Sequence, residues 1–274
     1  MPFRGSTIHE EAQQTYARWM ARQPIAGVAV WAHTGRGPHL SRAQRQNVLA
    51  TWKGALAGKV IVAGANSAEM AAEAKRGGAD ALLAFPRRED VVHYHEELGR
   101  ALPVIAFYLY ESAGGVDYDD DTLQAIMSLP AVIGIKVATL DSVMSFQRIA
   151  AVMKKHQDKL LITGEDRFLG YSLMMGARSA LIGMGSALTD LQAQLLEARR
   201  NGDDHAFLRL STQLDAFGEV TFRAPMEGYI RRMLWALAAD GVIPDDACDD
   251  PWGPKLPDHE REAVRRFVRE ARLR

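Results

Sequence analysis

A lysine closes an apolar run near the middle of the chain, Ala131-Val132-Ile133-Gly134-Ile135-Lys136. Val-Ile-Gly-Ile reads as a short strand buried on both faces, which has little room for an ammonium group unless the molecule uses it. Burial disfavours the charged form of a lysine and leaves the free amine that imine formation needs. The alternative is a lysine whose stem lies on apolar surface while its head reaches water at the strand end. Two other segments carry groups suited to the same chemistry. Ala32-His33-Thr34-Gly35-Arg36-Gly37-Pro38 has the glycines and hydroxyl of an anion-binding turn, whose backbone N–H groups can hold a carboxylate. Phe107-Tyr108-Leu109-Tyr110-Glu111-Ser112-Ala113-Gly114-Gly115 supplies phenols and a flexible loop.

The elements that must position these groups alternate along most of the chain. Apolar strand candidates are Ile25–Ala32, Lys59–Ala63, Ala81–Phe85, Pro103–Leu109, Val132–Lys136, Leu160–Thr163 and Ala180–Met184. Helical stretches fall between them, near 7–22, 41–57, 67–77, 89–101, 119–129, 141–156 and 166–176. Such alternation indicates a parallel sheet covered by helices. Ser41, Asn66-Ser67 and Asp141 are candidate N-terminal caps, and Gly77-Gly78 and Gly176 stand where left-handed C-caps are wanted. From Ser186 onward the strands stop, and helical runs follow at 186–200, 203–217, 223–240 and 258–272. The expected division is a barrel over 1–185, then the last barrel helix and a helical extension over 186–274. Pro244, Pro251, Pro254 and Pro257 read as a surface loop, and the charges from Glu260 to Arg274 as a solvated face. All three chemistry-bearing segments follow strands, as barrel active sites do. Seven strands are visible where a closed (β/α)8 barrel needs eight, so the first strand reads as missing or atypical. A start about ten residues late would explain it. An open doubly wound sheet is the alternative.

The composition narrows the function. With 33 Lys+Arg against 34 Asp+Glu the formal net charge is −1, which offers no footprint for nucleic acid. Hydrophobic content of 47% and charged content of 24% are ordinary for a globular protein. No apolar run approaches the length of a membrane span, and Met1–Met20 lacks the apolar centre of a secretory signal. Cys248 is the single cysteine, so no internal disulfide or multi-cysteine metal site is expected, and a reducing cytoplasm is the simplest home. His93 and His95, two apart on a helix, do not share a face, which argues against a metal site there.

The motifs resemble those of the dihydrodipicolinate synthase/N-acetylneuraminate lyase family of class I aldolases over nearly the whole chain. Gly134-Ile135-Lys136-Val137-Ala138-Thr139 is similar to the family's Schiff-base strand. Thr34-Gly35-Arg36-Gly37-Pro38-His39-Leu40-Ser41 resembles its Thr-Gly-Glu-Gly-Pro-Thr-Leu-Ser segment. Gly64-Ala65-Asn66-Ser67, Gly78-Ala79-Asp80-Ala81 and Gly164-Glu165-Asp166 follow in family order, and Met1-Pro2-Phe3 resembles the Thr-Pro-Phe that ends the family's first strand. The resemblance implies a (β/α)8 barrel with a helical tail, a 2-oxo acid such as pyruvate as substrate, and a homo-oligomer (dimer or tetramer). It also implies Lys136 as the imine-forming amine, with no metal or organic cofactor. Thr34 and Gly35 would bind the substrate carboxylate, with Leu181 on the last strand completing the binding set.

The departures concern proton transfer. His33 stands where the family has the first of two hydroxyl residues, and Phe107 stands where it has the proton-shuttling tyrosine. Tyr110 or Tyr108 is then the expected replacement, although both have the strand parity opposite to residue 107 and need a twist or bulge to point inward. Arg36 replaces the family's glutamate and is left between a second anion contact and a solvated side chain. Arg223, Arg231 and Arg232 read as surface or interface charges. Ser112 replaces the arginine with which the family's synthases hold a second carboxylate, and the adjacent Glu111 would repel one, which points away from a true dihydrodipicolinate synthase. Three readings stay open: a Schiff-base lyase on a 2-oxo acid, a non-catalytic relative that binds one as sensor or scaffold, and the synthase itself.

Overall fold

The computed structural model of the chain describes residues 1–273. In order these form β1 (Phe3–Arg4), β2 (Thr7–Ile8), α1 (Glu10–Ala21), β3 (Gly27–Val30), α2 (Arg42–Ala55), β4 (Val60–Ala65), α3 (Ala68–Arg76) and β5 (Ala81–Ala84). Next come α4 (Val91–Gly99), β6 (Val104–Leu109), α5 (Asp120–Ser128), β7 (Val132–Ala138), α6 (Val143–Met153), β8 (Leu160–Thr163), α7 (Leu169–Met174) and β9 (Ser179–Ala180). Four helices close the chain: α8 (Thr189–Asn201), α9 (Asp204–Thr221), α10 (Tyr229–Ala239) and α11 (Asp258–Leu273).

The chain divides into two compact units. One comprises Ala26–Glu165 and Tyr171–Leu181 and holds all of a seven-stranded parallel sheet, in the sequential order β3-β4-β5-β6-β7-β8-β9. Side chains from β3 through β8 meet in one apolar cluster that includes Ala32, Val62, Leu83, Ile105, Phe107, Ala138 and Ile162. Strands at opposite ends of a flat sheet would lie too far apart to share such a cluster, since neighbours are roughly 4.8 Å apart. The sheet therefore curls around its inner face, as in a β/α barrel. Among the described residues no eighth strand joins it; β1 and β2 pair with each other, Phe3 opposite Ile8 and Arg4 opposite Thr7.

Local chemistry accounts for the element boundaries. Ser41 and Gln44 form a reciprocal capping box at α2, and the Ser67 and Asp119 side chains accept from the backbone of the first turns of α3 and α5. Gly78 and Gly176 take left-handed φ of 83° and 107° where the chain turns from helix to strand. Three expectations are corrected. The first helix begins at Glu10 rather than near residue 7, because Thr7 and Ile8 fold back onto Phe3 and Arg4. Ser142 and not Asp141 caps α6, its Oγ accepting from Ser145 N at 3.2 Å. The last strand is Ser179–Ala180 rather than Ala180–Met184, and Met184–Ser186 is a 3-10 turn.

The other unit holds residues 1–25, 166–170 and the chain from Ile182 on. Phe3 forms a parallel bridge to Cys248, Asp249 N donates to Phe3 O at 3.1 Å, and the Trp252 ring lies 5.4 Å from that of Phe3. The loop expected around Pro244, Pro251, Pro254 and Pro257 is exposed at Pro244, Pro251 and Pro257 but not throughout: Ala247, Cys248 and Asp250 within it are buried. Burial also raises the Cys248 thiol to about 12 and keeps it protonated.

Arg232 on α10 is another correction, being a core residue with 0% of its area exposed. Its Nε donates to Glu260 Oε2 at 2.8 Å, and its Nη atoms donate to the carbonyls of Thr221, Arg223, Ala224 and Pro225. Glu260 is buried too, so the charge run of α11 is not uniformly solvated. Removing one partner of such a pair leaves a buried charge unmatched, whereas replacing both by apolar groups removes the problem. Arg232→Ala is expected to destabilise this unit by about 3–5 kcal/mol and to lower its melting temperature by roughly 6–15 °C. Arg232→Met with Glu260→Leu should recover most of the loss. Calorimetry on the two variants checks this, and equal loss in both contradicts the role given to the ion pair.

Candidate active site

Lys136 is the fifth residue of β7, a strand whose seven residues are buried except for the half-buried Ile133. The lysine is 8% exposed. Phe107 of β6 and Ile162 of β8 stand opposite it in register. Residues opposite one another on neighbouring strands point to the same face, and both neighbours belong to the inner cluster, so Lys136 projects into the curled sheet. Its Nζ lies 4.3 Å from the centre of the Phe107 ring. Residue 164 borders the same space. A Cβ there would stand 2.7 Å from Lys136 Cε and 3.0 Å from Ala138 Cβ, closer than packed carbons approach. Glycine at 164 is thus the clearance across which the lysine stem lies.

The strand end that carries the lysine is held by a buried acidic side chain whose role the sequence does not reveal. Glu165, 0% exposed, accepts from Thr139 N at 2.6 Å, from Thr139 Oγ1 at 3.0 Å and from Leu140 N at 3.1 Å. These bonds give a buried polar side chain the partners it needs. They fix the chain where β7 stops and Leu140 turns into a left-handed φ of 69°. Thr163 Oγ1 accepts in turn from Glu165 N and from Ser172 Oγ, which ties β8 and α7 into the arrangement. The available signal was an acidic residue directly after a strand in Gly164-Glu165-Asp166.

The two tyrosines are placed differently. Tyr108 follows strand parity and lies on the face opposite Phe107, with its hydroxyl donating to Asp117. Arg148 of α6 reaches the Tyr108 hydroxyl at 3.3 Å, Asp117 at 2.8 Å, Asp120 at 2.8 Å and Tyr118 O at 3.0 Å. Burial first, and Asp117 second, push the Tyr108 phenol up to about 12, so it is a standing hydrogen-bond donor. The expectation of Tyr108 at the amine is not met; it pins the loop after β6. Tyr110 has the same parity but packs against the inner cluster. β6 ends at Leu109, and Tyr110, at φ −60° and ψ 145°, leads into a 3-10 turn over Glu111–Ala113. Parity no longer governs a residue that has left the strand, and no bulge is required there.

His33, Thr34 and Gly35 lie in the turn after β3, at the same C-terminal edge of the parallel sheet as Lys136. In the sheet order β4, β5 and β6 separate β3 from β7. His33 and Thr34 are half-buried. Gly35 N and Gly37 N donate to Ala32 O at 3.1 Å, and Arg36 N donates to His33 O at 3.0 Å. These amides are turned into the loop, which narrows the anion-binding role expected of its backbone. Arg36 is buried, with a left-handed φ of 56°, and so is not the solvated side chain that one reading allowed. Leu181, just past β9, packs on the inner cluster while its N–H donates to Thr163 O at 2.8 Å. His95 is buried, its Nδ1 2.7 Å from Val91 O, and burial lowers its proton affinity. Among the described residues no cluster of three or more His, Cys, Asp or Glu is placed to hold a metal ion, and no helix is long and apolar enough to cross a membrane.

The sequence model of the Dihydrodipicolinate synthetase family matches residues 2–271. The chain belongs to this family. Among its relatives, the 4-hydroxy-tetrahydrodipicolinate synthase of Nitrobacter hamburgensis is 25% identical over 239 residues, 82% of this chain and 79% of that protein. The N-acetylneuraminate lyase of Escherichia coli (strain SMS-3-5 / SECEC) is 24% identical over 249 residues, 85% and 81% of the two chains. A prophage protein of the dihydrodipicolinic acid synthase family from Escherichia coli K12, solved in complex with pyruvate, superposes with a TM-score of 0.88 at 16% identity, covering 100% of this chain and 96% of that one. A monomeric dihydrodipicolinate synthase variant gives a TM-score of 0.87 at 18% identity, with 100% and 94% coverage. The fold is accordingly the family's (β/α)8 TIM barrel with C-terminal helices, represented here by seven parallel strands.

The clearance at residue 164 makes a specific prediction. Gly164→Ala should displace the Lys136 side chain and reduce borohydride-trapped adduct with pyruvate by roughly tenfold or more, since a misplacement of about 1 Å can cost a hundredfold in reactivity. Circular dichroism should stay unchanged. Undiminished trapping would show that the stem is free to take another path.

Proposed function

We propose that the protein is a Schiff-base-forming lyase of the aldolase, dehydratase or synthase type that acts on pyruvate or another 2-oxo acid through Lys136. The observation that carries this reading is the burial of that one amine on the inner face of β7, in a chain of this family. Neutral Nζ attacks the ketone carbon and forms the C–N bond, and the former carbonyl oxygen leaves as water after taking up protons. Nitrogen keeps one hydrogen and the positive charge. The cation draws electrons from C3, so a C3 proton or a bond from C3 to a neighbouring carbon breaks and an enamine remains. Thr34 and its turn are assigned to the substrate carboxylate, and Leu181 to the apolar wall.

Phe107 cannot move a proton, so Tyr110 is assigned the acid/base step, with His33 as the second candidate. The same phenylalanine favours a second reading, a non-catalytic relative that forms or binds the 2-oxo acid adduct as a sensor. The two differ in one observable. A lyase of this kind exchanges the methyl hydrogens of pyruvate with solvent, because enamine formation removes them. In deuterium oxide, proton magnetic resonance should record loss of the pyruvate methyl signal, abolished in Lys136→Ala. Tyr110→Phe should slow it by roughly a hundredfold or more while the trapped adduct is retained. Adduct without exchange in the unsubstituted protein selects the sensor. Full exchange in Tyr110→Phe transfers the proton step to His33.

A further inference from the structure

We propose that the ring face of Phe107 is a cation-binding element of the site, holding the positive charge on the Lys136 nitrogen and, once a 2-oxo acid is joined there, the charge of the protonated imine. The proposal rests on the imine reading of Lys136 and adds to it a defined role for the residue that stands where a proton-transferring phenol was expected. Register places the ring: Phe107 and Lys136 are cross-strand partners on the inner face. Nζ lies 4.3 Å from the ring centre, well inside the roughly 6 Å over which an aromatic face attracts a cation. Phe107 is 1% exposed, so little water intervenes, and such contacts strengthen when desolvated.

Both partners are held in place. The Phe85 ring packs against that of Phe107 at 6.3 Å and 54°, which limits its swing. On the other side a Cβ at residue 164 would meet Lys136 Cε at 2.7 Å, so glycine there opens the path along which the stem reaches the ring. A leucine at 107 would fill much of the same volume but carry no quadrupole. The ring's contribution is therefore electrostatic, and it can be separated from packing.

The separation uses the proton balance of the reaction. Amine, ketone and one proton give the protonated imine and water. Above the pH at which the free amine is neutral, adduct formation takes up a proton, and whatever stabilises the cation extends the adduct to higher pH. Phe107 is replaced in the full chain by phenylalanines bearing one, two and three ring fluorines, which withdraw π density with little change of shape. Each protein is incubated with pyruvate, treated with borohydride across the alkaline range, and the reduced adduct on the Lys136 peptide is quantified by mass spectrometry. The alkaline limb of trapping should move down stepwise with each fluorine, by roughly 0.5–1.5 pH units in all, which is about three- to thirtyfold in adduct stability. Phe107→Leu should move it at least as far. A limb that stays in place across the fluorinated series, with unchanged melting temperatures, overturns the proposal and leaves the imine reading standing. Absence of adduct from Lys136 in the unsubstituted protein overturns the imine reading itself, and this proposal with it.

Discussion

A side chain that carries an ammonium group is 8% exposed on the inner face of a strand, and the surroundings of Lys136 are arranged around that constraint. An isolated charge in such a place is costly, so a buried lysine either loses its proton or finds electrostatic compensation. The Phe107 ring lies where it can offer the second, and the imine chemistry proposed for Lys136 would draw on both states in turn. Gly164 gives the stem its path, and Glu165 holds the strand end through three hydrogen bonds. Glu165 is fully buried, as the amine nearly is, and it accepts from backbone and hydroxyl donors at the β7 terminus.

The barrel pattern was legible because it is written in long-period signals. Val104–Leu109 is a continuous run of buried residues, and Val132–Ala138 is apolar but for Gly134 and Lys136, as expected when helices cover one face and a core the other. Errors concentrated where local pairing overrides pattern: Thr7-Ile8 turns back as a strand, and Met184 leaves the last strand for a 3-10 turn. Arg232 was misread as a surface charge. An arginine beside Arg231 in an amphipathic helix gives no sequence sign that four carbonyls and Glu260 will converge on it.

The candidate site was legible to a similar depth. The strand marks Lys136 as a candidate amine beside the alternative of a snorkelling lysine, and its placement on the inner face follows from register. The choice between the tyrosines was not visible, because it depends on where β6 ends. One residue decides it. Tyr108 remains in the strand and joins Asp117 and Arg148, while Tyr110 has left it and packs on the inner cluster. Glu165 carries no sequence sign of its role, since its bonds to Thr139 and Leu140 reach a loop some twenty-five residues earlier. Family membership fixes the fold, but relatives as different in name as a synthase and a lyase match at about a quarter identity. Set against the family motifs that the sequence resembles, phenylalanine at 107, histidine at 33 and serine at 112 read as this chain's departures.

The function proposed for this site stands or falls on a covalent imine between Lys136 and a 2-oxo acid. The most direct measurement is the mass of the intact protein and its peptides after incubation with pyruvate and borohydride. One added reduced adduct is expected, mapped to the peptide containing Lys136 and lost in Lys136→Ala. An adduct on another lysine, or none with pyruvate and a panel of other 2-oxo acids, would contradict it.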